Sequence, residues 1–167
     1  MVASSGTASV TLPTDTDMLI TREFDAPRHL VFKAYTTPEL VKRWWSGQRG
    51  EVTLAEIDLR VGGGWRSVMV TSEGGFEVAF HGEYREIVPD ERLVSTEVFE
   101  GIPALDMPGG GPTLNTATFE ETDGRTTLTV LVACDDKETR DAIIASGMEG
   151  GMQESFDALE QVAISLR

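Results

Sequence analysis

The sequence contains very little cysteine and histidine. Its 167 residues include one cysteine, Cys134, and two histidines, His29 and His81. A single cysteine cannot form a disulfide within the chain, so nothing marks an oxidising compartment. Cys134 follows an apolar run at 129–133, which favours a buried structural thiol over a nucleophile. Neither histidine has a metal-ligating neighbour at the usual spacing, so we expect no metal site and no cofactor.

Basic residues and long apolar runs are also scarce. The 14 Lys and Arg residues stand against 28 Asp and Glu residues, which gives a formal net charge of -14. Because phosphate backbones are bound by clustered Lys and Arg, nucleic acid and anionic membrane surfaces are poor candidates as partners, and we expect neither to be bound. No stretch approaches the roughly 18 apolar residues of a membrane span, and residues 1–6 lack the features of a signal peptide. We therefore expect a cytoplasmic protein without membrane insertion.

Catalytic motifs are nearly absent as well. No serine lies in a Gly-x-Ser-x-Gly elbow, and Gly62-Gly63-Gly64 does not belong to a Gly-x-Gly-x-x-Gly loop. These glycines are followed by a segment with strand character. They predict a hairpin and not a phosphate-binding loop.

The chain does contain the elements of one domain. Its length suits a single domain, which we expect at 18–167 after a disordered leader at 1–17. A strand at 18–24 and two short helices, the second beginning at Thr37-Pro38, are predicted first. Six segments of alternating polarity follow, at 51–59, 64–71, 76–87, 92–99, 113–121 and 126–133. The turns between them are typical of antiparallel hairpins, and the loop at 101–112 is expected to lie at the rim of a pocket.

The last segment predicts one long amphipathic helix from about Asp135 to Leu166. Asp135 with Glu138 makes an acidic variant of a capping box, and no proline interrupts the residues that follow. One apolar stripe recurs at spacings of three and four: Ile144, Met148, Met152, Phe156, Leu159, Ala163 and Leu166. The elements together predict an α+β fold, in which a curved antiparallel sheet and a long C-terminal helix enclose a cavity.

The candidate site residues are those that such a cavity would collect. Methionine beside aromatic side chains is typical of permissive apolar pockets, although the same residues also suit an ordinary core. We expect Arg60 and Glu83 to be polar contacts of a ligand, with a structural ion pair between Arg60 and Asp58 as the alternative. The predicted apolar lining is Trp45, Trp65, Met69, Phe80, Phe99, Met148, Met152 and Phe156.

Several motifs in order resemble one family. Phe24-Asp25-Ala26-Pro27 and Arg43-Trp44-Trp45, with segments 31–40, 58–63, 82–87 and 147–151, resemble the bacterial activator-of-Hsp90-ATPase-like proteins of the Bet v 1/START-like superfamily. The resemblance implies a helix-grip fold with a cavity under the C-terminal helix. It also implies a chaperone of the Hsp90 class as a candidate partner. The eukaryotic protein behind the family name has an additional N-terminal domain that these residues do not contain.

Three functions remain open at this point. The leading hypothesis is a binding module for a small hydrophobic or amphipathic ligand that catalyses no reaction. The second is a cyclase- or hydrolase-type enzyme in which His81, Glu83 or Tyr84 transfers protons inside the cavity. Strand alternation puts His81 and Glu83 on one face and Tyr84 on the other, so they cannot all contribute. The third is a co-chaperone-like module that binds a protein partner or a second copy of the chain.

Overall fold

Eight strands form one antiparallel sheet in the computed structural model, which describes residues 7–100 and 112–167. The order across the sheet is β1-β2-β8-β7-β6-β5-β4-β3, so β1 and β3 are its edges. The strands are β1 (Ser9–Thr11), β2 (Asp17–Phe24), β3 (Gly50–Ile57), β4 (Gly64–Thr71), β5 (Glu77–Val88), β6 (Arg92–Glu100), β7 (Thr113–Thr122) and β8 (Arg125–Ala133).

Four helices accompany the sheet in the described residues. Two of them, α1 (Arg28–Thr36) and α2 (Pro38–Val41), connect β2 to β3. The other two, α3 (Lys137–Ala145) and α4 (Met148–Ser165), follow β8. The predicted α+β architecture of an antiparallel sheet with a C-terminal helix is confirmed. No helix in the described residues has the length and apolar character to cross a membrane.

The strands alternate between a buried and an exposed face. In β8, every second residue from Thr126 to Val132 is buried, while the residues between them are half-exposed. The same alternation in β2 buries Met18, Ile20 and Phe24. Because successive side chains of a strand point to opposite faces, one face of the sheet receives the apolar residues. That face packs against α1 and α4.

A buried ion pair attaches α4 to β2. The Arg22 guanidinium lies 3.3 Å from a carboxylate oxygen of Glu160 and 2.8 Å from one of Asp157. Arg22 and Glu160 are both buried, whereas Asp157 is exposed. Glu160 also accepts a hydrogen bond of 2.8 Å from the backbone N–H of Asp25. Since buried charges are tolerated only when they are paired and hydrogen-bonded, these contacts fix where α4 crosses the sheet.

The C-terminal helix is shorter than the sequence predicts. A continuous helix from Asp135 is wrong, because Gly147 adopts a left-handed conformation with φ of 84° and separates α3 from α4. The cap of α3 is Asp136, whose carboxylate accepts from the backbone N–H of Thr139 at 2.7 Å. Ile144 is 37% exposed and does not join the apolar stripe of α4.

Two further expectations concern the segments outside the main elements. Ser9–Thr11, within the expected leader, forms strand β1 and pairs with β2. A strand of three polar-flanked residues carries too little periodicity to be recognised from sequence. The loop expected at 101–112 falls almost entirely outside the described residues.

Candidate functional site

A space of about 460 Å³ lies between α4 and the inner face of the sheet. Small-molecule sites usually have volumes of about 300–1,000 Å³, so a ligand of moderate size would fit. The lining is mainly apolar, and its polar side chains include Ser67, Ser95, Glu97 and Asn115. Eight of the ten predicted site residues line this space: Trp45, Trp65, Met69, Phe80, Phe99, Met148, Met152 and Phe156.

Strand alternation explains why these residues meet. Trp65, Ser67 and Met69 are spaced by two along β4, and all three line the space. On β5, Phe80 and Tyr84 share the inner face. Gly82 lies between them on the same face, while His81 and Glu83 point away from it.

Three aromatic rings form a connected cluster in the wall. Trp45 meets Phe80 edge-to-face at 5.1 Å between ring centroids. Phe80 meets Phe99 in the same way at 4.8 Å. Edge-to-face pairs of this kind hold aromatic rings in defined orientations, so this part of the wall has a fixed shape.

Contacts between α4 and the segment before β3 hold one side of the site together. The Ser155 hydroxyl donates to the backbone oxygen of Trp45 at 2.7 Å. The Arg49 Nε lies 3.3 Å from a carboxylate oxygen of Glu154. A Cβ at Gly150 would lie 2.8 Å from the Arg49 guanidinium, so the glycine leaves room for this arginine over α4.

Gly82 leaves room for the Trp65 indole and for the backbone of the neighbouring strand. A Cβ on Gly82 would come within 1.8 Å of the Thr96 backbone oxygen and 2.7 Å of the Trp65 Nε1. No side chain other than hydrogen fits there. The Trp65 Nε1 is buried and has no hydrogen-bond partner among the residues that the structure describes.

Arg60 and Glu83 do not lie in the wall of this space, which corrects the expectation that they contact its contents. Arg60 sits in the turn after β3 and pairs with Asp58 at 2.7 Å, and both side chains are more than half exposed. This is the structural ion pair that the sequence left as the alternative. Glu83 is on the outer face of β5, 3.6 Å from Arg85, because its position alternates with those of Phe80 and Tyr84.

The three residues of the enzyme hypothesis are separated by the sheet. His81 faces outward, with its Nδ1 2.7 Å from a Glu100 carboxylate oxygen that Arg66 also contacts. Tyr84 is buried and lines the space. Burial raises the pKa of Tyr84 to about 12, so at neutral pH its hydroxyl can donate a hydrogen bond but cannot act as a base.

Sequence reasoning missed Glu97, the one residue with a carboxyl group in the part of the lining that the structure describes. It lies on β6 two residues before Phe99, and the inner face of that strand carries Leu93, Ser95, Glu97 and Phe99. The signal was available: a residue two positions from a predicted cavity aromatic must share its face. A charged residue on an otherwise inward-facing run is a candidate for a site, since burying a charge is costly unless it is paired.

The Glu97 carboxylate is held by a short hydrogen-bonded chain. Asn115 Nδ2 donates to Glu97 Oε1 at 3.2 Å, and the Thr113 hydroxyl donates to Asn115 Oδ1 at 2.9 Å. The described residues give no hydrogen bond to Glu97 Oε2. Burial raises the pKa of Glu97 to about 7, although the hydrogen bond from Asn115 acts in the opposite direction. The carboxyl can therefore be charged or neutral near physiological pH.

Two tyrosines complete the polar part of the site. Tyr35 stacks on Trp44 with ring centroids 5.6 Å apart. Its pKa is raised by burial, then by the negative charge of Glu97 and by Tyr84, so the three groups interact. We call Tyr35, Tyr84, Glu97 and Asn115 the Glu97 cluster. It can accept a hydrogen bond, pair with a cation or exchange a proton near neutral pH.

Comparison with solved structures places this fold among bacterial proteins. A protein from Rhodobacter sphaeroides is 25% identical, with a TM-score of 0.83 over 96% of this chain and 99% of that one. A Chromobacterium violaceum protein, also 25% identical, matches with a TM-score of 0.72 over 87% and 96%. An Arthrobacter aurescens protein, 23% identical over 94% and 91%, has a TM-score of 0.80 and supports the fold alone.

The sequence comparisons identify a family but no individual curated protein. A search of curated proteins finds no match. The family model described as activator of Hsp90 ATPase homolog 1-like protein matches residues 25–163. This match extends from the end of β2 almost to the end of α4, and it includes every residue that the structure gives to the wall of the space except Met18 and Ile20. The chain belongs to the activator of Hsp90 ATPase homolog 1-like family.

Proposed function

We propose that this protein binds a small hydrophobic or amphipathic molecule in the space between α4 and the sheet, without catalysing a reaction on it. The observation that carries the proposal is the space itself, about 460 Å³ bounded by aromatic and methionine side chains. The three groups suggested for catalysis do not converge there, since His81 and Glu83 lie on the outer face of β5.

The cost of leaving such a space empty supports the proposal. The space is partly open to solvent; if it were sealed and dry, the cost of about 24 cal/mol per Å³ of core cavity would reach on the order of 10 kcal/mol for 460 Å³. That is comparable with the whole stability of an ordinary domain, about 5–15 kcal/mol. Water or a guest must therefore fill it. An apolar wall offers water few hydrogen bonds, which favours an apolar guest.

A neutral fluorescent probe tests the proposal. N-phenyl-1-naphthylamine should bind with a saturable rise in fluorescence, and Ser95→Phe should weaken this binding at least tenfold. Ser95 lines the space, so a phenyl ring there occupies the volume that the probe needs. Native mass spectrometry of freshly purified protein should also reveal a small molecule that is lost on denaturation.

The matched control is Val98→Phe. Val98 lies three residues further along β6 and is absent from the wall of the space, so the substitution adds the same ring on the outer face. Circular dichroism of both variants establishes that they are folded. Probe binding that is unchanged in a folded Ser95→Phe variant would refute the proposal, because the probe would then bind elsewhere.

The family description supports a second candidate, a co-chaperone-like protein partner. The net charge of -14 would steer a basic surface towards the chain, and such association weakens steeply with salt. Titration of purified Hsp90 from the same organism at 50 and 300 mM NaCl tests this. Binding that falls at least tenfold with salt supports the candidate, and absence of binding at low salt contradicts it.

A further inference from the structure

We propose that the molecule bound in this space carries a basic nitrogen, whose ammonium group pairs with the Glu97 carboxylate. This inference rests on the proposed function and adds the chemical class of the ligand. The shared feature of the class is an apolar body of moderate size with one amine at its end.

The first argument is the state of the Glu97 carboxylate. One oxygen accepts from Asn115 at 3.2 Å, and the described residues leave the other without a hydrogen bond. Arg49 is the basic residue of the described lining, and its guanidinium is already 3.3 Å from Glu154. A carboxylate inside a protein either binds a proton or is stabilised by an opposite charge. The described residues supply that charge to Glu160 through Arg22 but not to Glu97, so a cationic ligand would supply it and hold Glu97 in its charged form.

The second argument is the aromatic surface beside the carboxylate. Tyr35 and Tyr84 belong to the Glu97 cluster, and Phe99 follows Glu97 by two positions on the same face of β6. Aromatic faces attract cations, with a gain of affinity when the cation is removed from water. A wall that combines one carboxylate with aromatic rings therefore suits an ammonium group better than an anion.

The third argument is the charge of the whole chain. A net charge of -14 creates a negative potential that concentrates cations near the protein and repels anions. An amphipathic carboxylate would approach against this potential and would then meet Glu97. The negative potential around the protein and the Glu97 carboxylate therefore both favour a positively charged ligand.

Three probes that share one apolar body test the inference. We would measure how 4-phenylbutylamine, 4-phenylbutan-1-ol and 4-phenylbutanoate displace N-phenyl-1-naphthylamine at pH 8. In the wild-type protein the amine should bind at least tenfold more tightly than the alcohol, and the carboxylate should bind most weakly. Glu97→Gln should remove the preference for the amine over the alcohol. Glu83→Gln, on the outer face of β5, is the charge-matched control and should keep the preference.

The pH dependence gives a second readout. Glu97, with a pKa of about 7, loses its charge as the pH falls from 8 to 6, so the amine should bind about tenfold more weakly at pH 6. Among the described residues, the titratable groups facing Glu97 are Tyr35 and Tyr84, whose raised pKa values keep them neutral throughout this range. Arg49 is the other charged group of the described lining.

The results separate the two proposals. If the neutral probe does not bind, both the proposed function and this inference fail. If it binds but the amine has no advantage over the alcohol, or keeps its advantage in Glu97→Gln, only the inference is refuted. A preference for 4-phenylbutanoate would also refute it and would identify Arg49 as the polar contact.

Discussion

The replacement of Glu97 by glutamine should stabilise the protein above neutral pH. Burial raises the pKa of Glu97 from 4.5 to about 7, so the folded state holds this proton more tightly than the unfolded state does. The contribution of such a group to the free energy of unfolding is fully present at low pH and is lost as the pH rises from about 4.5 through 7. With each tenfold change in proton affinity equal to 1.36 kcal/mol, the loss amounts to about 3 kcal/mol.

Glutamine keeps the oxygen that accepts from Asn115 but cannot ionise. The free energy of unfolding of Glu97→Gln, relative to wild type, should therefore increase by about 2.5 kcal/mol between pH 5 and pH 8. Urea denaturation followed by tryptophan fluorescence at four pH values measures this difference. Glu83→Gln removes an equal charge from the outer face and should show no comparable trend.

A different dependence of the unfolding free energy on pH would refute the electrostatic reasoning. If the two proteins follow parallel curves of unfolding free energy against pH, the Glu97 carboxyl is not desolvated in the folded state. If the wild-type protein becomes more stable than Glu97→Gln as the pH rises, the carboxylate is stabilised by a cationic partner in the chain. Either result would remove the first argument for an amine ligand.

Three further experiments, two with substitutions and one with a thiol reagent, have expected outcomes. Glu160→Ala should lower the free energy of unfolding by about 3–5 kcal/mol, because it leaves the buried Arg22 guanidinium without its buried partner. Asp157→Ala removes an exposed partner of the same arginine and should lower it by about 1 kcal/mol or less. Equal losses for the two variants in urea titrations would contradict this reasoning. Gly82→Ala should destabilise the fold by several kcal/mol, because the added Cβ would lie 1.8 Å from the Thr96 backbone oxygen. Gly64→Ala is the control: its Cβ would lie 3.6 Å from the Gly82 backbone oxygen, so the thermal midpoint should change little. The Cys134 thiol is buried, and burial raises its pKa to about 11. It should therefore react with Ellman's reagent at pH 8 only after urea is added. Rapid labelling of the folded protein would contradict this, because it would show that the thiol is accessible.

The periodicity of the sequence was sufficient to predict the sheet and most of the wall of the space. Alternation by two places Trp65 with Met69 and aligns Phe80 with Tyr84, and the structure has both pairs on the inner face. This works because a strand buried on one face leaves a regular pattern. The same rule, applied to Phe99, would have identified Glu97.

Other features depend on conformations and contacts that strand alternation does not determine. Arg60 is in a turn after β3, where alternation no longer determines direction, and it pairs locally with Asp58. The break between α3 and α4 depends on Gly147 taking a positive φ, which a glycine permits but does not require. The pairing of Arg22 with Glu160 joins residues 138 positions apart. Such partners are chosen by tertiary packing, so a single sequence does not reveal them.

The most direct test of the central claim is to locate a bound molecule by NMR. We would label the methionine methyl groups with carbon-13 and record nuclear Overhauser effects from N-phenyl-1-naphthylamine to the protein. Met18, Met69, Met148 and Met152 line the space, so we expect contacts between their methyl groups and the probe. A bound probe that gives no contact with any of these four methyl groups would contradict the claim that this space is the binding site.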